Sequence, residues 1–398
     1  MDRLKRYCNY LLCLVKLIIA FVYVQLNKKK LYSQNTWLIQ EKHSEARDNG
    51  YHLYMYLLKY HPDIHVFFSI KPGSADINKL KEDTIVDADS IKHYVYYLSA
   101  KMSIGSQQNG ACPYPTDWVY RFRFLCRNDQ KVVFLQHGII KDDMKGLYYR
   151  KTRFDLFVCS ARKEYDYVHI KYGYPKEKVK LLGLCRFDNL SCDYVKKQIL
   201  IMPTYRNYLA ANDVEQPAKE SEVDRFKHSA FYNSFVSLIR NGRLREEAEK
   251  LGYRIVFYLH YSLQSYNNCF KPYETDTVLV ADRFCYDVQQ LLVESAAMIT
   301  DFSSVFFDFA YMGKPEVFFQ PDAAQYREGH YAEGYFSYEN DGFGPVFSGV
   351  DETVDYVIEL MRNGCRMQPE YTRRVEQFFA FRDNKNCERN YTAIMELN

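Results

Sequence analysis

The stretch that decides the fold is residues 296–319, AAMITDFSSVFFDFAYMGKPEVFF. An apolar run ends at Thr300, a polar turn follows, and a short helical stretch stops at Gly313. Pro315 then precedes a second apolar run. This order predicts a strand, a turn, a helix of two to three turns and another strand. The stretch therefore indicates one repeat of an alternating α/β fold.

The turn inside this repeat is a candidate anion site. Ser303 or Ser304 is expected to cap the helix with its hydroxyl, while the exposed N–H groups and the dipole of the helix face an anion. A pyrophosphate fits such a cradle even though the loop is not rich in glycine. Ordinary helix capping without a ligand explains the same spacing, so the residues alone leave both interpretations open.

Alternating β-rich and helical runs continue along the chain from about residue 32. The predicted strands are residues 36–40, 66–70, 101–104, 131–136, 154–159, 179–182, 198–203, 254–259, 277–280, 296–300 and 316–320. The predicted helices include residues 44–59, 90–98, 116–126, 162–172, 351–362 and 370–379. Residues 207–227 are polar and expected to be rich in loops. This alternation is typical of parallel βαβ units.

The alternation falls into two α/β sets separated by a polar passage near residue 190. We therefore predict three parts: a basic, amphipathic membrane-associating segment at residues 1–30, an N-terminal α/β domain at 31–190 and a C-terminal α/β domain at 191–398. Two Rossmann-like domains of this kind are expected to face a cleft, which is the natural place for a ligand.

The composition excludes some classes of protein. The 398 residues suit two to three domains. A hydrophobic fraction of 47% beside 26% charged residues excludes an intrinsically disordered chain. The formal net charge of +3 is uneven, because residues 1–30 carry +6 and the remainder carries −3. A mildly acidic body gives no support for nucleic-acid binding, whereas the basic end is attracted to anionic lipid.

The basic segment also contains an apolar run at residues 11–26, which Lys16 interrupts. This run is short for the ~20 residues of a membrane-spanning helix, and no clear small-residue cleavage site follows it. We favour a helix lying in the cytoplasmic leaflet. A helix packed on the protein itself and an uncleaved spanning anchor are the alternatives.

Eleven cysteines are scattered between Cys8 and Cys387 without a CxxC pair. An odd number cannot be closed completely into intramolecular disulfides, so reduced cytosolic thiols are favoured over a secreted disulfide framework. The sequence shows no spacing typical of a metal site.

Two histidines follow apolar runs predicted to be strands: His137 follows residues 132–135, and His260 follows residues 254–259. The carboxyl ends of parallel strands face the ligand crevice of an open sheet. An imidazole there can accept a proton from an attacking hydroxyl near neutral pH. A partly buried structural histidine at a turn is the alternative for His137.

Other polar residues follow strands in the same way. Thr204 and Arg206 come after the first strand of the second set, where arginine can bind phosphate through two hydrogen bonds and threonine can donate one. A surface salt bridge and simple turn chemistry are the alternatives. Arg186 and Asp188 end the first set and can pair with each other or contact a ligand. Residues 47–50 are a polar group that can orient an acceptor, or a solvated helix face.

Together these segments resemble the CDP-glycerol glycerophosphotransferase family, the teichoic acid polymerase-like enzymes, over roughly residues 35–385. The Thr-Asp-x-Ser-Ser helix start with its downstream Gly-Lys-Pro is the specific element. The resemblance rests on Gln136-His137-Gly138, Gly183-x-x-Arg186-x-Asp188, Pro203-Thr204-x-Arg206, Leu259-His260, Thr300-Asp301-x-Ser303-Ser304-x-x-x-Asp308, Gly313-Lys314-Pro315, and the region from Gly334-Tyr335-Phe336 to Gly344-Pro345.

The resemblance implies a GT-B-like architecture, in which an acceptor-side domain precedes a domain that binds CDP-glycerol or a related CDP-polyol. It implies catalytic or phosphate-stabilising roles for His137 and His260, no metal ion, and a peripheral location at the cytoplasmic face of the cell membrane. The donor site it implies consists of Thr204, Arg206, Asp301, Ser303 and Ser304. The candidate acceptor or cleft residues are Gln136, Gly138, Arg186 and Asp188.

Two positions depart from the family pattern. The usual His-Pro pair is His260-Tyr261 here, and Gln136 stands where an aromatic residue often precedes the His-Gly pair. Both histidines are kept, so the departures concern the acceptor and the loop geometry. Full-length polymerases are commonly longer, which points to a compact transferase that works on a capsular or other surface glycan.

We therefore expect an acceptor hydroxyl to attack the polyol-bearing phosphorus of CDP-glycerol and to expel CMP. His137 is the preferred base and His260 the alternative, while Arg206 and the helix start after Asp301 hold the pyrophosphate. The acceptor is expected to be a lipid-linked glycan or a teichoic acid precursor. Two hypotheses compete: a GT-B glycosyltransferase that uses a nucleotide sugar, and a noncatalytic membrane-associated glycan-assembly protein.

Overall fold

The computed structural model describes residues 2–190, 194–210, 217–329 and 331–397. It divides into two compact units. The first contains Met1–Ile139, Lys145–Asn189 and Ala380–Asn398, and the second contains Ile140–Met144 and Leu190–Phe379. The predicted division differs, because it assigned the C-terminal stretch to the second domain. Residues 191–193 of the predicted linker and 211–216 of the predicted loop-rich passage lie outside the described residues.

The secondary structure alternates between strands and helices along both units. The strands are β1 (Trp37–Gln40), β2 (Val66–Ile70), β3 (Ile85–Asp87), β4 (Met102–Gly105), β5 (Lys131–Phe134), β6 (Asp142–Asp143), β7 (Leu156–Cys159), β8 (Val179–Leu181), β9 (Gln198–Ile201), β10 (Arg254–Tyr258), β11 (Val278–Ala281), β12 (Ala297–Thr300), β13 (Glu316–Phe319), β14 (Ala332–Glu333) and β15 (Val346–Phe347). The helices are α1 (Asp2–Leu26), α2 (Lys28–Ser33), α3 (Asn49–Tyr60), α4 (Ile91–Ser99), α5 (Thr116–Val119), α6 (Tyr149–Thr152), α7 (Arg162–Ile170), α8 (Glu220–Lys227), α9 (Ala230–Arg240), α10 (Gly242–Leu251), α11 (Val288–Glu294), α12 (Phe306–Tyr311), α13 (Ala323–Gly329), α14 (Tyr338–Asp341), α15 (Val350–Arg362), α16 (Pro369–Phe378) and α17 (Asn386–Met395).

The first unit contains a seven-stranded sheet with the order β3-β2-β1-β4-β5-β7-β8. Its neighbouring strands are all parallel. The order reverses between β1 and β4, so the loops after these strands diverge and leave a crevice at their carboxyl ends. The sequence did not predict β3, which has three residues and directly follows a 3₁₀ turn.

The second unit contains a six-stranded sheet with the order β11-β10-β9-β12-β13-β15. Its neighbouring strands are parallel as well, and the order reverses between β9 and β12. A two-residue antiparallel pairing joins β6 to β14. The predicted α/β class with two Rossmann-like units is therefore confirmed.

Helices cover both faces of each sheet, which explains why the strands are continuous apolar runs. The residues of β1, β4, β7, β9, β12 and β13 are all buried. The core of the second unit brings Ile199, Phe257 and Phe319 of the sheet together with Phe235 of α9 and Val357 of α15. Each such side chain contributes ~1.5–3 kcal/mol when fully buried, so the sheet is a firm support for the loops at its ends.

One face of α1 packs on the first unit. Leu17, Ala20 and Val24 are buried in the same core as Tyr94 and Leu98 of α4. The opposite face consists of apolar side chains that are 44–80% exposed: Tyr7, Leu11, Leu12, Val15, Ile18, Ile19, Val22, Tyr23 and Leu26. The helix therefore has two apolar faces, one of which the protein covers.

The segment Tyr7–Leu26 has the length and the apolar composition of a membrane-crossing helix. Lys16, which interrupts the apolar run, donates a hydrogen bond of 2.7 Å from its ammonium to the backbone oxygen of Asp89. The contact explains how a charge is tolerated in this helix, because the first unit supplies its partner.

The helix start in the stretch 296–319 differs from the prediction. The N-cap of α12 is Val305, and in the part of the chain that the structure describes no side chain caps the helix. Two amide groups of the first turn donate to the backbone oxygens of Ser303 and Ser304, at 3.3 and 3.2 Å. The prediction that a serine caps this helix is therefore wrong, because both serines lie in the preceding turn. Gly313 follows the helix with φ +72°, a conformation that favours glycine.

Helix α17 was not predicted from the sequence. The carboxylate of Asp188 accepts hydrogen bonds from the backbone amides of Asn386, at 2.8 Å, and Cys387, at 2.7 Å. Cys387 and Ile394 are buried in the core of the first unit. These contacts explain why the C-terminal stretch belongs to that unit, and they replace the predicted pairing of Asp188 with Arg186.

Candidate active site

His137 lies three residues after β5, and 58% of its side chain is exposed. Its Nδ1 is 2.5 Å from Oδ2 of Asp48, the N-cap residue of α3. A carboxylate only accepts hydrogen bonds, so Nδ1 carries the hydrogen and Nε2 of the neutral ring keeps its lone pair. The pair therefore presents an oriented imidazole that can accept a proton at Nε2.

Asp48 is held as a carboxylate by its neighbours. Nη1 of Arg186 donates to Oδ1 of Asp48 at 2.8 Å and also to the backbone oxygen of His137. Burial raises the pKa of Asp48, but His137, Arg186 and the amide of Asn49 outweigh it, so that the pKa lies below its usual value. Asp48 therefore remains the hydrogen-bond acceptor that orients the His137 ring.

Glu41 fixes the loop that carries Asp48. Its buried carboxyl group accepts hydrogen bonds from the backbone amides of Arg47 at 2.9 Å, Asp48 at 3.0 Å and Tyr51 at 2.6 Å. Burial, with a further contribution from Asp48, raises the pKa of Glu41 to about 8. The start of α3, and with it the position of the Asp48 carboxylate, is therefore set by a buried side chain.

Gln136 fixes the turn that carries His137. It is fully buried with φ +65°, and its Nε2 donates to Oε1 of Glu164 at 2.9 Å. Its backbone oxygen accepts a hydrogen bond of 2.8 Å from Nδ2 of Asn49. The prediction that Gln136 lines an acceptor site is therefore revised, because its side chain points into the unit. Gly138, by contrast, is partly exposed.

In the second unit, Asp301 joins the loops after β9 and β12. Its Oδ1 accepts hydrogen bonds from the backbone amides of Thr204 at 2.8 Å and Phe302 at 2.5 Å. Thr204 and Ser303 are 6% and 9% exposed, and Ser304 is partly exposed. Asp301 thus joins the loops at the carboxyl ends of β9 and β12. This junction, the crossing of β9 and β12, carries hydroxyl side chains.

Arg206 is fully buried beneath this crossing. Its Nε and Nη2 each donate to the carboxylate of Asp322 at 2.7 Å, and Nη2 is 2.8 Å from Oδ2 of Asp301. Its Nη1 donates to the backbone oxygen of Thr204 at 3.1 Å. The prediction that Arg206 binds a donor phosphate bidentately is therefore revised, because Asp322 already occupies the guanidinium fork.

The buried cluster contains one guanidinium and two carboxylates. Burial lowers the pKa of Arg206, but Asp301 and Asp322 outweigh it and raise the pKa, so the guanidinium stays charged. Burial raises the pKa of Asp301 in spite of the opposing effect of Arg206. Asp301 and Arg206 hold the two loops together from below, whereas the serines and Thr204 lie nearer the surface.

His260 follows β10, the strand next to β9. Its ring is stacked on Tyr205, with ring centroids 4.8 Å apart. Its Nδ1 accepts a hydrogen bond of 3.2 Å from the backbone amide of Ser262, so the neutral ring carries its hydrogen on Nε2. His260 is therefore arranged as a hydrogen-bond donor, which is the opposite of the arrangement at His137.

Lys314, the central residue of the Gly-Lys-Pro motif, has a structural contact. It is 6% exposed, and its ammonium donates to the backbone oxygens of Leu292 at 3.0 Å and Val293 at 2.5 Å. These carbonyl groups lie at the C-terminal end of α11, where a cation is favourable. The motif therefore ties α11 to β13.

Three acidic residues of the two sites were not singled out from the sequence: Asp48, Glu41 and Asp322. Asp48 was noticed only as part of the polar group at residues 47–50. Its position before an amphipathic run was the available signal, because aspartate is a preferred N-cap. Among the residues that the structure describes, no group of three or more His, Cys, Asp or Glu side chains is placed to hold a metal ion.

Residues 20–396 match the model of the family described as CDP-glycerol:poly(glycerophosphate) glycerophosphotransferase. Minor teichoic acid biosynthesis protein GgaB of Bacillus subtilis (strain 168) is 34% identical over 366 residues, which are 91% of this chain and 40% of GgaB. The teichoic acid poly(glycerol phosphate) polymerase of Staphylococcus epidermidis is 24% identical over 83% of this chain and 46% of that polymerase. The chain thus spans less than half the length of these two relatives.

The wall teichoic acid polymerase TagF has a similar solved structure, with a TM-score of 0.67 at 19% identity, covering 99% of this chain and 96% of that chain. This likeness shows that the two share a GT-B-like α/β fold. The family match extends over both units, including α17 at the C-terminus. The chain therefore belongs to the CDP-glycerol:poly(glycerophosphate) glycerophosphotransferase family.

Proposed function

We propose that the chain is a transferase that moves a glycerol-phosphate or related polyol-phosphate unit from a CDP-polyol to a hydroxyl of a teichoic acid or other cell-surface glycan precursor, with release of CMP. The family match over residues 20–396 carries the proposal. Relatives named for teichoic acid biosynthesis support the acceptor class. A TagF structure soaked with CDPG, at 18% identity and a TM-score of 0.68, is in keeping with this donor.

In the proposed reaction, the acceptor oxygen attacks the phosphorus that carries the polyol. A new bond forms between that phosphorus and the acceptor oxygen, and the bond to the bridging oxygen of the diphosphate breaks. CMP leaves with the electron pair of that bond, and the acceptor proton passes to Nε2 of His137. Such a step depends on in-line positioning, a proton acceptor and stabilisation of phosphate charge.

The hydrogen bonds at Nδ1 support His137 rather than His260 as the base. His137 donates from Nδ1 to Asp48 and keeps a lone pair at Nε2, whereas His260 accepts at Nδ1 and carries its hydrogen at Nε2. The Nε2–H group of His260 can donate a hydrogen bond to an oxygen of the diphosphate in the CDP-polyol. We therefore assign proton transfer to His137 and phosphate stabilisation to His260.

The donor diphosphate is proposed to bind at the crossing of β9 and β12. Ser303, Ser304 and Thr204 are proposed to supply hydroxyl groups to the diphosphate at this crossing. Arg206 and Asp301 act below them by fixing the two loops, so we propose them as positioning residues rather than direct phosphate ligands. The second unit is thus the proposed donor-binding part, and the first unit is the proposed acceptor-side part.

The exposed face of α1 is proposed to lie on the cytoplasmic leaflet as a peripheral anchor. Its covered face packs on α4, an arrangement that favours an interfacial helix over a spanning one, since a spanning helix would have to leave this core. The basic excess of residues 1–30 adds attraction to anionic lipid. A lipid-linked acceptor would be reached most readily from such a surface.

Product analysis by mass spectrometry tests the function. Purified chain is incubated with CDP-glycerol, CDP-ribitol or a nucleotide sugar, each with a lipid-linked glycan acceptor. We expect an acceptor mass increased by a polyol-phosphate unit and stoichiometric CMP from one of the CDP-polyols. Transfer of a bare sugar from the nucleotide sugar, or no transfer from either CDP-polyol, would contradict the proposal.

A further inference from the structure

The first unit contains a second histidine–aspartate pair, which the proposed reaction does not use. Nε2 of His43 lies 3.4 Å from Oδ1 of Asp89. His43 follows β1 and Asp89 follows β3, so the pair lies at the carboxyl edge of the first sheet, where open parallel sheets bind ligands. The two side chains are 28% and 35% exposed, so a ligand can reach both.

Two polar atoms of this pair are open to a ligand. Among the residues that the structure describes, Oδ2 of Asp89 and Nδ1 of His43 have no hydrogen-bond partner. Burial raises the pKa of Asp89, but hydrogen bonds from His43 and from the amide of Tyr114 outweigh it, so that the pKa lies below its usual value. Asp89 is therefore a carboxylate that accepts hydrogen bonds, and Nδ1 of His43 can form one with a hydroxyl group.

An exposed aromatic ring lies beside the pair. Tyr114 is 60% exposed, and its ring centroid is 5.9 Å from that of His43 in an edge-on arrangement. The amide of Tyr114 donates to Oδ1 of Asp89 at 2.7 Å. His43, Asp89 and Tyr114 thus form one surface, the Tyr114 patch, in which an aromatic ring borders a carboxylate oxygen and an imidazole nitrogen.

The backbone of the Tyr114 patch is held in place. The amide of Asp89 donates to Nδ1 of His93 at 3.0 Å, and its backbone oxygen accepts from the ammonium of Lys16 at 2.7 Å. The amide of Lys71 donates to the backbone oxygen of His43 at 2.6 Å. These contacts hold Asp89 at φ +64°, a left-handed conformation that aspartate tolerates better than most residues. Because the patch is preformed, a ligand pays little ordering free energy on binding.

The Tyr114 patch lies between His137 and α1 along the first unit. The strands after β1 in the sheet are β4 and β5, so the ends of β1 and β5 are two strand intervals or about 10 Å apart. His43 follows β1, and His137 follows β5. On its other side the patch meets α1, where Lys16 binds Asp89. An acceptor that begins at the exposed face of α1 and ends at His137 would pass over this patch.

We infer that the Tyr114 patch binds a neutral sugar of the acceptor, located between its lipid end and the attacking hydroxyl. The inference rests on the proposed function, in which the first unit is the acceptor side. A sugar ring can pack its C–H groups against an aromatic ring, while its hydroxyls both donate and accept hydrogen bonds. A phosphodiester of a poly(glycerol phosphate) chain is anionic, so the open carboxylate oxygen of Asp89 would repel it.

Saturation-transfer NMR of the full chain, titrated without a donor, tests the patch. The probes are the methyl glycosides of glucose, N-acetylglucosamine and N-acetylgalactosamine, with glycerol 3-phosphate as the anionic comparison. We expect wild-type protein to bind at least one glycoside. A hydrogen bond to a charged group is worth a factor of about 10 to 150 in affinity, so Asp89→Asn should weaken this binding by such a factor.

Variants of Tyr114 test the patch without touching its buried contacts, because the ring is exposed. Tyr114→Ala should weaken glycoside binding, whereas Tyr114→Phe should keep it. Binding of glycerol 3-phosphate should be the same in all variants. Tyr60→Ala, which removes another exposed tyrosine of the first unit, is the matched control and should bind glycosides like the wild type.

Kinetics with a lipid-linked glycan acceptor test whether the patch serves transfer. Asp89→Asn and Tyr114→Ala should raise the KM for the acceptor and leave kcat and the Kd for CDP unchanged. This split is expected because contacts that are equally strong in the ground state and the transition state affect only KM. An unchanged KM in both variants would overturn the role of the patch in acceptor binding.

The outcomes separate the patch from the proposed function. Wild-type protein that binds none of the glycosides, or glycoside binding that is unchanged in Tyr114→Ala and Asp89→Asn, would overturn the patch alone. Loss of glycerol 3-phosphate binding together with glycoside binding would also overturn it, since that would indicate a phosphate site. Absence of transfer from every CDP-polyol would overturn the proposed function, while glycoside binding, measured without a donor, would stand.

Discussion

Replacing Asp48 by asparagine removes the carboxylate that orients His137 and changes little else in shape. An amide N–H facing Nδ1 of His137 favours the other tautomer, in which Nε2 carries the hydrogen and no longer accepts a proton. A general base commonly contributes ~10²- to 10⁴-fold, so we expect Asp48→Asn to lower kcat within that range. The affinity for CDP should not change, because the proposed donor site lies in the second unit.

The structure also sets the expected loss of stability. Asp48 accepts from the amide of Asn49 at 2.8 Å, from Arg186 at 2.8 Å and from His137 at 2.5 Å. The asparagine oxygen can keep one of these bonds but loses the charge. A hydrogen bond to a charged group is worth ~1.5–3 kcal/mol, so the free energy of unfolding should fall by about that amount and the variant should remain folded.

The assay combines steady-state kinetics with ¹⁵N NMR of the imidazole. In the neutral ring, wild-type His137 should carry its hydrogen on Nδ1, and Asp48→Asn should carry it on Nε2. The control Asp155→Asn removes a carboxylate of the same unit that binds Lys178 at 3.1 Å and the amide of Val132 at 2.9 Å. It should lose stability but keep kcat. A folded Asp48→Asn variant with wild-type kcat would refute the proposed role of Asp48.

Three further outcomes are expected. Arg206→Ala leaves two buried carboxylates without their cation, so the free energy of unfolding measured in urea should fall by about 3–5 kcal/mol. A fully stable variant with weakened CDP binding would instead indicate that Arg206 contacts phosphate directly. Glu316 is buried and has no hydrogen-bond partner for its carboxyl group among the described residues, and burial raises its pKa well above the usual value. A raised pKa in the folded state means that the protein loses stability as the pH rises, because ionising the buried carboxyl group is unfavourable. Glu316→Gln removes this effect, so it should raise the free energy of unfolding more at pH 8 than at pH 5. An equal rise at both pH values would contradict this. Replacing Leu11, Ile18 and Val22 of the exposed α1 face by serine should release the chain from phosphatidylglycerol vesicles and leave its unfolding temperature unchanged, whereas unchanged co-sedimentation would exclude this face as the anchor.

Deleting the whole segment 1–30 is a poor test of membrane binding. The deletion would uncover the core that Leu17, Ala20 and Val24 share with α4. Loss of vesicle binding would then be confused with loss of folding. The exposed and covered faces were not separable from the sequence, because both are apolar.

Apolar runs predicted most of the fold, since parallel strands buried on both faces differ clearly from the helices between them. Strand β2 was predicted with its observed bounds, Val66–Ile70, and β12 within one residue. Short β3 and the C-terminal α17 were missed. Their stability depends on partners distant in sequence, such as the cap that Asp188 provides for α17.

The candidate site was predictable only in part, and the reason is again sequence distance. Both histidines were expected at strand ends, and the structure has them there. The partner of His137 lies 89 residues away at Asp48, and that of Arg206 lies 116 residues away at Asp322. The sequence alone shows neither contact. Arg206 was therefore predicted to bind phosphate, although the buried carboxylate of Asp322 already binds its guanidinium.

The most direct measurement is single-turnover transfer by His137→Asn, with CMP release and acceptor mass followed together and CDP affinity measured by calorimetry. We expect the rate of glycerol-phosphate transfer to fall ~10²- to 10⁴-fold while the Kd for CDP stays at the wild-type value. A folded variant with near-normal transfer at saturating donor and acceptor would contradict the assignment of His137 as the base and would make His260 the leading candidate.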